Sequence, residues 1–112
     1  MSGINHFMES RHSCVVNIKL LNDDPLIICI TPFQVVVQKS KWGWWGRKLY
    51  EEKDMDRARM TARNLPSWIE NYLPAEMHDP LLRAFANAAL NCRSAEEFEN
   101  MLQEAKARAG RR

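Results

Sequence analysis

Lys39-Ser-Lys-Trp-Gly-Trp-Trp-Gly-Arg-Lys-Leu-Tyr50 holds three of the chain's four tryptophans and divides it into two halves of different periodicity. Upstream the apolar residues follow a strand period; downstream they follow a helical one. The stretch carries four cations, and no carboxylate occurs from Pro25 through Tyr50. Flat aromatic area beside positive charge suits a contact surface.

Working upstream, Phe33 to Lys39 alternates, with Phe33, Val35 and Val37 predicted to face inward. Pro32 cannot donate to a strand ladder and marks a break or an edge. Leu26 to Thr31 is a continuous apolar, β-branched run that fits a central strand. Asn22-Asp23-Asp24-Pro25 supplies a turn, because Asn and Asp bond their own backbone and Pro presets φ. Before it, Cys14, Val16, Ile18 and Leu20 share one predicted buried face. Residues 1–12 lack a clear period and read as a flexible arm. His6 and His12 there have no metal-ligand spacing.

Working downstream, Leu49 and Tyr50 are expected to start a short fourth strand. Asp54 or Asp56 caps a predicted helix through Asn64, with acids early and Arg57, Arg59 and Arg63 later, as the helix dipole prefers. Pro66 is expected to open a further helical turn with Trp68, Ile69, Tyr72 and Leu73 on one face, ending before Pro74. Asp79-Pro80 is an N-cap followed by a first-turn proline, predicting a helix that buries Leu82, Phe85, Ala86, Ala89 and Leu90. Ser94-Ala95-Glu96-Glu97 reads as a capping box. The helix after it presents Phe98, Met101, Leu102 and Ala105 at i, i+3, i+4 and i+7, with Gly110 as its stop. The prediction is one α+β domain over 1–112: the arm at 1–12, a β-rich half with the tryptophan loop at 13–53, and a helical half at 54–112. A small antiparallel sheet of two to four strands is followed by three to four helices.

Composition narrows the function. The chain has 112 residues, 46% of them apolar, and a net charge of +2, too small by itself to imply a nucleic-acid partner. No apolar run has the length of a membrane span, and no charged-then-apolar signal pattern opens the sequence. Cys14, Cys29 and Cys92 are an odd set without a CxxC pair, which fits buried thiols in a reducing cytoplasm. No GxSxG, P-loop, HExxH or EF-hand pattern occurs, and the Gly43–Gly46 pair is too short to cradle a phosphate. We therefore expect no catalytic residues, no metal site and no cofactor.

Three readings of Trp42, Trp44 and Trp45 stand. They fold back and complete the core. They stack on unpaired bases while Lys39, Lys41, Arg47 and Lys48 neutralise phosphates. Or they anchor a protein partner, with Lys41, Arg47 and Lys48 meeting its acidic groups. The modest net charge favours the third over the second. Pro66, in the joint Asn64-Leu65-Pro66-Ser67-Trp68, is either a plain trans proline or a segment that a prolyl isomerase recognises.

With its small size, its strand-rich first half, the Trp-Gly-Trp-Trp-Gly-Arg-Lys stretch at 42–48 and the Asn-Leu-Pro-Ser-Trp-Ile-Glu-Asn-Tyr-Leu-Pro joint at 64–74, the chain resembles the anti-RecBCD accessory proteins of P22-like lambdoid phages. The resemblance implies a non-enzymatic protein acting in the host cytoplasm. Such a protein binds the RecBCD helicase–nuclease and alters it so that phage DNA ends survive and recombine. It carries over no individual binding residue.

Overall fold

Each apolar run of the first half pairs with its neighbour along the chain. A computed structural model describes residues 3–9, 13–42, 45–68 and 79–110; the side chains of residues 5–9, 41, 42 and 45 lie outside that description. Its strands are β1 (Gly3–Glu9), β2 (Cys14–Lys19), β3 (Leu26–Ile30), β4 (Val35–Trp42) and β5 (Trp45–Glu52). Its helices are α1 (Met55–Arg63), α2 (Pro80–Leu90) and α3 (Ala95–Ala109). All neighbouring strands are antiparallel, and the sheet order β1-β2-β3-β4-β5 repeats the chain order.

The α+β class and the strands-then-helices order agree with the sequence, but the sheet has five strands rather than two to four. One addition is β1, within the segment expected to be an arm. Its register against β2 shifts between Ile4 and His6. A bulge of this kind breaks the alternation by which a strand is recognised. The other difference is the extent of β5, which begins at Trp45 and not near Leu49.

Register explains which residues are buried. Val16, Ile28, Val37 and Tyr50 lie in one cross-strand row on the face that packs against the helices. Tyr50 stacks at a tilt on Phe85 of α2, with ring centroids 5.3 Å apart. Ile27, Val36 and Gln38, which alternate with that face, are buried too. Burial on both sides accounts for the unbroken apolar run of the central strand β3. Phe33 departs from expectation: it is 80% exposed. The Thr31 hydroxyl accepts from Phe33 N and Gln34 N at 3.2 and 3.1 Å, and Thr31 N donates to Gln34 O at 2.9 Å. That tight turn ends the strand alternation before Val35 and leaves Phe33 at its tip.

The helices start where cap chemistry puts them. Asp54 Oδ1 accepts from Asp56 N and Arg57 N, Asp79 Oδ1 from Leu81 N, and Ser94 Oγ from Glu97 N. Glu97 reaches back to Arg93 N at 2.6 Å, one residue before the position a capping box would use. Phe85, Phe98, Leu82 and Leu102 are fully buried, whereas Leu90 and Met101 are half-buried. The turn predicted from Pro66 is not helical over 66–68, and Trp68 is 60% exposed. The rest of that predicted segment, 69–73, lies outside the described residues.

None of the three cysteines forms a disulfide. The register sets Cys14 opposite Ile30 and Cys29 opposite Val15. Burial pushes the Cys92 thiol up to about 12, with Glu97 adding to the shift, so it is a protonated packing group near neutral pH.

Candidate functional site

On either side of Gly43 and Trp44, the tryptophan stretch lies on two paired strands, β4 and β5. β3 pairs with β4 only from Val35 to Lys39, and Ser40 N then donates to Pro25 O at 3.0 Å. β4 continues to Trp42, whose backbone pairs with Trp45 of β5. The hairpin therefore extends past the end of β3, beside the turn that joins β2 to β3. Gly43 and Trp44 lie outside the described residues, as do the side chains of Lys41, Trp42 and Trp45.

Close approach of the two strands dictates the second glycine. A Cβ placed on Gly46 would stand 1.9 Å from Lys39 O and 2.9 Å from Ser40 Cα. Both contacts are to backbone, so no side-chain rotation relieves them. The register shift between Ser40 and Trp42 falls at the same level.

Two ion pairs brace the hairpin base. Arg47 meets Glu99 of α3 through both guanidinium nitrogens, at 3.2 and 2.9 Å. This fork-to-fork geometry fixes orientation as well as charge. Lys39 Nζ lies 2.7 Å from Asp23 Oδ1, and the other oxygen of Asp23 accepts from Ala95 N at the start of α3. Asn22 N adds a bond to Arg93 O at 2.8 Å. The β2–β3 turn, the base of β4 and the first turn of α3 thus meet at one carboxylate.

Burial would raise the Asp23 carboxyl, but its bonds to Lys39, Asp24 N and Ala95 N outweigh that and hold it below the ordinary value of 3.8. As pH falls, the unfolded chain takes up this proton before the folded one, so the stabilisation is complete above about pH 5 and is lost as pH falls through the lower folded value. Asp23→Asn should lower stability near neutral pH by about 1–3 kcal/mol, since bonds to a charged group are lost. Urea titrations between pH 2 and 7 check this: the gap between parent and variant should narrow at the acid end.

The sequence grouped Lys41, Arg47 and Lys48 as contact cations. Of these, Arg47 is bound to Glu99, and Lys48 Nζ lies 3.2 Å from Glu51 Oε2. Sequence reasoning missed the partners Glu99, 52 residues away, and Asp23. The Asp and Asn of the turn signalled backbone bonds, but nothing local announced a second role for Asp23. Pro66 is half-buried, between buried Leu65 and exposed Ser67. Among the described residues, no cluster of His, Cys, Asp and Glu could hold a metal, and no helix is long and apolar enough to cross a membrane.

These features define a class: an antiparallel five-stranded meander backed on one face by three helices, with one hairpin extended beyond the sheet. No protein-family model, curated protein or solved structure matches the chain.

Proposed function

We propose that the chain is a non-enzymatic interaction module that docks on a protein partner through the extended β4–β5 hairpin. One observation carries the reading: Trp42 and Trp45 pair on the part of the hairpin that outruns β3. A core-filling segment gains nothing from reaching beyond the sheet it fills. The partner class follows from the resemblance to the anti-RecBCD proteins: a host helicase–nuclease acting on DNA ends, bound and modulated in the host cytoplasm. Trp42, Trp44 and Trp45 fill apolar pockets on the partner, and Lys41 meets acidic groups at their rim. Arg47 sets the pose of the hairpin through Glu99, and Lys48, paired only with Glu51 of its own strand, stays at the contact rim. In this reading a prolyl isomerase that engages Pro66 is a second, separate partner.

The alternative is direct binding of single-stranded nucleic acid by the same stretch. Pairing of Arg47 and Lys48 with carboxylates reduces the charge available for phosphates, which favours the protein partner.

The test is capture from nuclease-treated bacterial lysate, followed by titration of the purified helicase–nuclease. Replacing Trp42, Trp44 and Trp45 by alanine should weaken binding at least about 30-fold, as expected for loss of an aromatic hot spot. Unchanged binding and inhibition by the folded triple variant would remove the hairpin from the interface. An oligonucleotide that quenches tryptophan emission, with affinity falling steeply as salt rises, would transfer the assignment to nucleic acid.

A further inference from the structure

Lys39 and Arg47 lie directly opposite each other in the β4–β5 ladder, so two cations project from one side of the hairpin. Like charges in that position repel and weaken a strand pair. Irregularities flank the rung. From Val37 to Gln38 the partner on β5 steps from Tyr50 to Lys48, and from Ser40 to Trp42 it steps from Gly46 to Trp45. Only three rungs, Gln38–Lys48, Lys39–Arg47 and Ser40–Gly46, therefore stand between two bulges, where a strand bends and its ladder is interrupted. β3 supports β4 as far as Lys39, whereas β5 is an edge strand.

Both cations are neutralised from outside the hairpin, and from one place. Asp23 holds Lys39 at 2.7 Å while its other oxygen accepts from Ala95 N at 3.1 Å. Glu99, which takes both guanidinium nitrogens of Arg47, stands four residues after Ala95 and so on the same face of α3. The first two turns of α3 thus bring both carboxylates to the repelling rung. Neither pair is deeply buried, the four side chains being 20–58% exposed. Ion pairs this exposed add little to global stability, which leaves local orientation as their main consequence.

We propose that this rung is an electrostatic latch through which α3 controls the docking hairpin. Closed by Asp23 and Glu99, it fixes the direction of the strand ends that carry Trp42 and Trp45. With either carboxylate removed, the rung repels and the hairpin swings on its two bulges. The latch itself is a property of the free chain; the control of docking rests on the docking proposed above. Apparent affinity falls in proportion to the fraction of molecules in the competent pose.

Amide hydrogen exchange across 38–40 and 46–48 of the full chain reads the latch without any partner. Glu99→Gln should speed exchange there about fivefold, the fold-change of a well-formed exposed pair, and leave α2 unchanged. Adding Lys39→Gln to Glu99→Gln should restore slow exchange, because the repulsion that opens the rung is gone. Glu96→Gln, the same change of charge at an exposed position of α3, should alter nothing. Exchange unmoved by Glu99→Gln, or not recovered on adding Lys39→Gln, would overturn the latch. Titration of the purified helicase–nuclease with the same variants tests the control of docking: Glu99→Gln should weaken binding by a similar factor, and Lys39→Gln should recover it. Exchange that responds while affinity does not, with binding still weakened by replacing the three tryptophans, would overturn that control. If the tryptophan variant binds as the parent does, the docking reading fails, and the exchange result alone decides the latch.

Discussion

Phe85→Ala is expected to cost about 3–5 kcal/mol, the range for deleting a fully buried aromatic ring. Phe85 is wholly buried on α2, and its ring meets Tyr50 of β5. Its loss opens a cavity between α2 and β5. Domains of this kind are stable by only about 5–15 kcal/mol, so this one residue carries a large fraction. Urea unfolding followed by far-ultraviolet circular dichroism measures the change. A loss below about 1 kcal/mol would mean that α2 does not pack on the sheet as described. Phe85→Leu separates shape from apolar area, because it retains most of the buried surface and should recover more than half of the loss.

Gly46→Ala is the second large effect, and it should act locally first. The added methyl overlaps the backbone of Lys39 and Ser40, so β4 and β5 must separate there or the hairpin must change register. Overpacking of this sort costs about 1–3 kcal/mol, and backbone on the opposing side places the cost toward the upper end. The register of Arg47 against Lys39 is fixed by the same approach, so the Arg47–Glu99 pair should open as well. Amide hydrogen exchange reads this directly: protection should fall across 38–48 and remain along α2. If the hairpin docks on a partner, Gly46→Ala should weaken docking without removing any tryptophan. Protection equal to that of the parent protein would show that the two strands do not approach as closely as the structure places them.

Local chemical signals were legible and distant geometry was not. Asp54, Asp79 and Ser94 mark the helix starts because a cap needs only a side-chain oxygen within three residues of the N–H it accepts. The inward faces of β2 and β4 follow from alternation, and β3 from its unbroken apolar run. Where a bulge doubles a residue, alternation loses its meaning: Ile4 and His6 straddle one such shift, which hid β1. Lys48 and Tyr50 straddle another, with Leu49 the extra residue, so that Leu49 and Tyr50 are adjacent in sequence and both buried. Extending the period of β4 back to Phe33 places that residue inward, but the step falls in a turn built on the Thr31 hydroxyl. The cations of the tryptophan stretch could be listed from sequence, but not their partners, because Arg47 reaches Glu99 only after the whole helical half has folded back.

The agreement of strand order with chain order bears on how the molecule assembles. A sheet built entirely from chain neighbours needs only hairpin closures, each an event of about 1–10 μs, and no strand waits for a distant segment before it can pair. The long-range step is the return of α2 and α3 onto the sheet, which closes loops of several tens of residues. Kinetics should therefore separate the halves. Substitutions in the β3–β4 turn should change the folding rate, while loss of the Arg47–Glu99 brace, formed when α3 returns, should mainly speed unfolding.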